Sequence, residues 1–307
     1  MKISIKENCK EDTSFLYVID KLPMKIRALI REYCESKRFS AINEIRIKRN
    51  TYLYLIADSV TVKTDIYIND SDIEETFEYL CNHSLYAYAG TIKEGYIPIG
   101  CGIRAGICGN AILENGEVVG VKDISSINIR IPQKITDASR YIYSLLKRTD
   151  FSHSLLIYSL PGIGKTSILR DLILKLNSDS SLIRFSVIDS RNEIIAPFMK
   201  GLSCDVFSSY PKGLGIELAT RSMTPELIIC DEISNEDEAS AIMKATHAGV
   251  KLIATTHAAT LLELKQKKIL KELIETKAFD YYIGVHRKSG EKRYEFTLDT
   301  NESINIL

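Results

Sequence analysis

The sequence predicts an α/β protein: a mostly parallel sheet in the second half, preceded by a smaller α+β domain. Two observations carry this. From residue 154 onward, short apolar runs (SLLIYSL, RFSVID, ELIICD, KLIATT) alternate with stretches of helical periodicity. Unbroken apolar runs of this length fit strands covered on both faces, which is the environment of parallel sheets. The first half reads differently. Its strand-like runs alternate in polarity, and eight of the chain's sixteen glycines fall between residues 90 and 120. At roughly 150 residues per domain, 307 residues suggest two. The boundary is expected near 148–152, giving domains 1–148 and 149–307.

In chain order, 24–36 reads as a helix with Pro23 at its start, and EIRIKR and TYLYLIAD read as strands. Asp70-Ser71-Asp72 marks a capped helix start running to Cys81. Asn115-Gly116 is a hairpin-turn signal between two β-like runs, and 138–147 is helical. In the second half Ile168, Leu169, Leu172, Ile173 and Leu176 fall on one helical face. Further helices are expected around 217–222 and 236–248, and one long amphipathic helix with a lysine-rich face over 261–279. YYIGVHR and KRYEFTLD read as a hairpin turning at Lys288-Ser289-Gly290.

Composition narrows the class. Forty basic residues balance forty acidic ones, although residues 1–50 come to +5 and 51–100 to −6. A domain that grips nucleic-acid phosphates usually carries a basic excess, and none is seen here. The seven cysteines form no C-x-x-C pair, so they read as reduced thiols, several of them buried. No apolar run approaches the ~18 residues of a spanning helix. The N-terminal MKISIKENCKEDTSF lacks the apolar core of a secretory signal, so a cytoplasmic location is expected.

Ser159-Leu160-Pro161-Gly162-Ile163-Gly164-Lys165-Thr166 lies between an apolar strand and an amphipathic helix, the setting of a phosphate-binding loop. Successive N–H groups through Thr166 and Ser167 can wrap phosphate oxygens, aided by the helix dipole. Lys165 would reach the β- and γ-phosphates and Thr166 would offer its hydroxyl to Mg²⁺. One departure is Ser159, where the motif has its first glycine. Some sixty residues on, LIICDE ends in Asp231, placed to hold Mg²⁺ through water, and Glu232, placed to polarise an attacking water. Asp189 and Glu193 follow another apolar strand, at the carboxyl ends where α/β sheets bind ligands. His247 and His257 close a helix and the next strand. Both are expected at the phosphate-loop edge, and a zinc site is excluded because no third ligand has suitable spacing.

These motifs, in this order, resemble the type II/IV secretion ATPases: a phosphate loop, an acidic box (Asp189, Glu193), an acid-terminated strand (Asp231, Glu232) and a histidine box (His247, His257). Within that superfamily, NEIRIK, GIRAGICGNAILENGEVVGVKDISSINIRI, IDSRNEI and RSMTPELIICDEIS resemble the stage III sporulation AA family. The resemblance covers most of 40–260. It implies a RecA-like ATP-binding domain, Mg²⁺-dependent hydrolysis, a hexameric ring, and docking on membrane proteins of a sporulation secretion channel. It further implies that arginines reach the nucleotide from the N-terminal domain; Arg104 and Arg130 are candidates, as is Arg221 ahead of the acid-terminated strand. Two other readings share the core, a nucleic-acid translocase or RNA-binding NTPase, and a nucleotide-gated scaffold without turnover. A regulatory GTPase is disfavoured, since no N-K-x-D motif occurs.

Overall fold

The computed structural model describes residues 12–37, 39, 41–58, 60–180, 183–287 and 294–301. The 288–290 turn and residues 1–11 of the N-terminal segment read above, Cys9 among them, lie outside them. The chain divides into two compact units, one running through Gln133 with Ala196–Phe198, the other comprising Lys134–Ile195 and the chain from Met199 onward.

The first unit contains helices α1 (Thr13–Ile19) and α2 (Met24–Lys37), strands β1 (Ile42–Lys48), β2 (Thr51–Ala57) and β3 (Val60–Ile68), helices α3 (Asp70–Leu80) and α4 (Leu85–Ile92), then β4 (Tyr96–Gly100), β5 (Ile103–Glu114) and β6 (Glu117–Arg130). Its six strands form an antiparallel sheet in the order β3-β2-β1-β6-β5-β4. One face is covered. Ile45 and Ile47 of β1 and Ile103, Ala105 and Ile107 of β5 are buried, whereas Arg46, Lys48 and Arg104 between them are exposed. This is the alternation of a sheet with one solvated face. Asn69 caps α3 through a capping box with Asp72, one residue ahead of the acidic triplet that signalled the start. Asn115 and Gly116 take φ of 51° and 83°, as a two-residue hairpin between β5 and β6 requires. Beyond Ile107 and Ile124 the two strands run on as a ribbon whose residues are mostly exposed.

The second unit contains α5 (Arg140–Arg148), β7 (Leu155–Ser159), α6 (Lys165–Asn177), β8 (Phe185–Asp189), β9 (Asp205–Ser208), α7 (Lys212–Leu218) and a π-helical turn (Ala219–Met223). It continues with β10 (Leu227–Glu232), α8 (Glu236–His247), β11 (Lys251–His257), α9 (Leu261–Gln266), α10 (Lys268–Glu275), β12 (Tyr281–His286) and β13 (Glu295–Thr300). The seven-stranded sheet has the order β13-β12-β7-β11-β10-β8-β9. It is mixed: the pairs from β12 to β9 are parallel, and β12 with β13 is antiparallel. β7 and β8 are buried along their whole length, as unbroken apolar runs demand. No described helix is long and apolar enough to cross a membrane. No disulfide joins the six described cysteines, of which Cys34, Cys81 and Cys230 are buried.

Two expectations differ from the structure. The division between units falls ahead of α5, not after it. The cause is Asp171 of α6, which sits buried and accepts hydrogen bonds from the backbone N–H groups of Asp137 and Ser139 and from the Ser139 hydroxyl. That carboxylate ties the segment leading into α5 to the helix behind the phosphate loop. The expected helix over 261–279 is two helices broken at Lys267, whose backbone is extended at ψ 117°. Leu264 and Leu270 are both buried. At 100° per residue they would point about 120° apart on one continuous helix. The break brings both into the core.

Candidate active site

The site forms where parallel strands end. Ser159, Glu232 and His257 are the last residues of β7, β10 and β11, and the register pairs His257 with Ser159 and Glu232 with Thr255. Carboxyl ends of neighbouring parallel strands form the crevice in which α/β sheets bind ligands. From β7 the chain enters the 160–164 loop and then α6, whose N-terminal N–H groups have no partner within the helix. Gly162 and Gly164 take φ of 78° and 116°, a region that side chains rarely adopt. A Cβ on Gly162 would meet open space, whereas one on Gly164 would run into the Tyr294 hydroxyl. Gly164 is thus required by its conformation and by its neighbour.

Lys165 is buried, and its ammonium has three partners. It donates to the Ser159 carbonyl at 3.1 Å and to the Ser159 hydroxyl at 3.2 Å, and it lies 2.7 Å from His257 Nδ1. The serine in place of glycine is therefore an acceptor for the loop lysine, while its own hydroxyl donates to Leu160 O. The other ring nitrogen of His257, Nε2, is 3.2 Å from Glu232 Oε2. These neighbours fit an imidazole with its proton on Nε2, so Lys165, His257 and Glu232 form a continuous polar chain. Burial pulls the Lys165 ammonium down to about 8; Glu232 opposes the shift and the charge of Lys267 adds to it.

Beneath this chain, Lys212 at the start of α7 is buried with its ammonium 2.7 Å from Asp231 Oδ1 and 3.4 Å from Glu238 Oε2, and it donates to Glu232 O. The contact with Asp231 is a buried ion pair in which Lys212 balances the carboxylate charge. Burial raises the Asp231 carboxyl, and Lys212 works in the opposite direction. The Asp231 carboxylate at the end of β10 is an oxygen group of the kind that Mg²⁺, a hard cation, takes as a ligand. The Thr166 hydroxyl in the first turn of α6 is a second oxygen donor of that kind. Among the described residues no group of three or more His, Cys, Asp or Glu forms a metal cage.

Asp189 ends β8 and is buried, but its oxygens accept from the backbone N–H groups of Glu193, Ile194 and Ile195. Its carboxylate organises the loop that carries Glu193. Arg170, on α6, holds the same loop by donating to the carbonyls of Glu193 and Ile194.

His247 is not at this edge. It ends α8 and is exposed, four residues before β11 begins, so it lies at the amino end of the strand that His257 closes. Six steps of strand separate the two edges by about 20 Å. Its expected place followed from reading helix end and strand end as one edge. In a strand-helix-strand crossover the helix returns to the opposite edge before the next parallel strand starts. Arg221 lies on the π-helical turn that leads to the amino end of β10 and is exposed. Arg104 and Arg130 belong to the first unit: Arg104 lies 4.7 Å from the Tyr96 ring centroid, and Arg130 ends β6.

Lys212, Lys267, Arg170 and Tyr294 were not foreseen. Lys212, Arg170 and Tyr294 act through contacts between distant segments and carry no local signal. Lys267 had one, since the apolar spacing slips between Leu264 and Ile269.

The fold is shared with a solved ATPase and with a solved pilus retraction motor. The Legionella pneumophila ATPase DotB is 16% identical with a TM-score of 0.58, the match covering 92% of this chain and 82% of DotB. The pilus retraction motor PilT, solved with bound ADP, is 12% identical with a TM-score of 0.60 over 91% of this chain and 85% of PilT. In sequence, the chain is 32% identical over 283 residues to stage III sporulation protein AA of Bacillus subtilis (strain 168), covering 89% of this chain and 91% of that protein. The family model for sporulation stage III, protein AA, matches residues 16–297, and the chain belongs to that family.

Proposed function

We propose that this chain is a Mg²⁺-dependent ATPase of the secretion-motor type. In this reading it works as a homo-oligomeric ring, a hexamer, at the cytoplasmic face of membrane proteins that form a transenvelope channel during endospore formation. The observation that carries the reading is the chain Lys165–His257–Glu232 at the carboxyl edge of β7, β11 and β10. The fold shared with an ATPase and with a motor solved with ADP supports it.

Each group has a task. Backbone N–H groups of Gly162, Ile163, Gly164, Lys165, Thr166 and Ser167 cradle the phosphates, with Pro161 shaping the loop entrance. Lys165 turns from Ser159 and His257 to the phosphate oxygens, which releases the imidazole to the neighbouring carboxylate. Glu232 takes the proton of the attacking water, and His257 holds Glu232 in place. Glu193, on the loop that Asp189 and Arg170 secure, is a second candidate acid for the same chemistry. Thr166, and Asp231 through water, would hold Mg²⁺, which would supply charge neutralisation at the phosphates. Arg104 and Arg130 are the candidates for stabilising phosphate charge from the first unit of the same or a neighbouring chain. The balanced charge of the chain favours this reading over a nucleic-acid translocase.

The test is ATP turnover per subunit over a wide range of protein concentration, with Lys165→Ala as the blank. Turnover that rises and then saturates is the expected result, and nucleotide binding by the blank should fall at least ~100-fold. Turnover independent of concentration removes the ring from the reading. Activity indistinguishable from the blank removes the motor.

A further inference from the structure

The break between α9 and α10 has no glycine or proline to cause it. Besides bringing two leucines into the core, it turns one lysine back toward the sheet. Lys267 Nζ donates to the backbone carbonyl of His257, the residue whose imidazole touches both Lys165 and Glu232. The lysines around it behave differently. Lys268 pairs with Glu236 at 2.9 Å, and Lys271 lies 3.9 Å from Glu275. Lys267 is half-buried, and among the described residues no carboxylate pairs with it. Two ammonium groups, Lys165 and Lys267, thus converge on the end of β11, where the carboxylate in contact is Glu232. Like charges brought this close in a partly desolvated place disfavour one another. An anion with several charges would relieve that repulsion.

We propose that Lys267 is a second cation for the terminal phosphate of a nucleoside triphosphate, supplied within the chain from the α9–α10 break. This rests on the reading of the crevice as a nucleotide site and adds to it the group that tells triphosphate from diphosphate. The ammonium leaves the His257 carbonyl when the third phosphate arrives.

The test is calorimetric titration of the full chain with ADP and with a non-hydrolysable β,γ-imido triphosphate, for the parent, Lys267→Met and Lys267→Arg. Loss of one charge-assisted contact predicts that Lys267→Met binds the triphosphate roughly tenfold more weakly, with ADP affinity changed less than about twofold. Lys267→Arg should recover most of the difference. Equal weakening toward both nucleotides would show that Lys267 only holds His257 in place, and unchanged affinities would show no role; either overturns the proposal. If Lys267→Met loses its cooperative thermal transition, Lys267→Arg and Lys267→Gln carry the comparison under the same criteria. A parent that binds neither nucleotide, and does not differ from Lys165→Ala, overturns the nucleotide reading itself.

Discussion

His247 and His257 stand ten residues apart in the chain, at opposite edges of one sheet. At the carboxyl edge, His257 lies between a loop lysine and a strand-end glutamate, with a second lysine on its carbonyl. At the amino edge, His247 ends α8 in the open. The same residue type serves two ends because parallel strands gather their chemistry at one edge. Helix N-termini, loops and strand-end acids all meet there, while the amino edge collects helix C-termini and short turns.

The largest effect that sharpens this comparison is at Glu232. Glu232→Gln keeps the shape of the carboxyl edge and removes its base, so single-turnover hydrolysis should fall by roughly 10²–10⁴ while ATP still binds. Normal turnover by this variant would remove Glu232 from the mechanism. Next is the pH dependence of binding. Burial brings Lys165 down to about 8 in the ligand-free protein, and in the proposed site a bound phosphate would hold it protonated. ATP affinity measured by titration should therefore drop about tenfold per pH unit above 8. The sign for stability is opposite. The folded pKa lies below the ordinary lysine value of 10.5, so this group's cost is complete below pH 8. That cost is relieved as pH rises from 8 toward 10.5, and the ligand-free protein gains stability there. An affinity that stays level across that range would mean that Lys165 does not bear the phosphate.

The two histidines give a smaller and more direct contrast. His257→Ala should lower turnover by about tenfold, as expected for a residue that orients a base, and His247→Ala should leave it within about twofold. Equal losses would erase the distinction between the edges. Ser159→Gly restores the usual first residue of the loop and removes one acceptor of three from the Lys165 ammonium. Since the Ser159 carbonyl remains, ATP affinity should change by less than about threefold in the same titration.

The carboxyl edge was largely legible from sequence. Local order wrote it: an apolar run, a glycine-bearing loop, a helix face through Ile168, Leu172 and Leu176, and later a run closing on Asp231 and Glu232. Each signal spans fewer than about twenty residues, and each marks a place where backbone and side chain must be of one kind. What escaped was pairwise. Lys212 meets Asp231 across nineteen residues, and Tyr294 meets Gly164 across the whole unit. Neither leaves a pattern in its own neighbourhood. β9, an edge strand reading DVFS, is too short and too exposed to show a period. The place of His247 was misread because the side of a sheet to which a helix end returns is a property of topology, not of spacing.

The ribbon formed by the outer halves of β5 and β6 differs from the rest of its sheet in a way that can be timed. Asn110 to Glu114 pair only with Glu117 to Lys122, without a third strand. Ile112 (40% exposed), Leu113 (61%), Val118 (40%) and Val119 (40%) contribute little burial to hold them. Two strands without a covered face are marginal by themselves. Their amides should exchange with deuterium through local opening, long before those of β1, which is flanked by β2 and β6 and needs the whole sheet to come apart. One strand of the fold thus spans two lifetimes, slow at Ile103 to Ile107 and fast a few residues later.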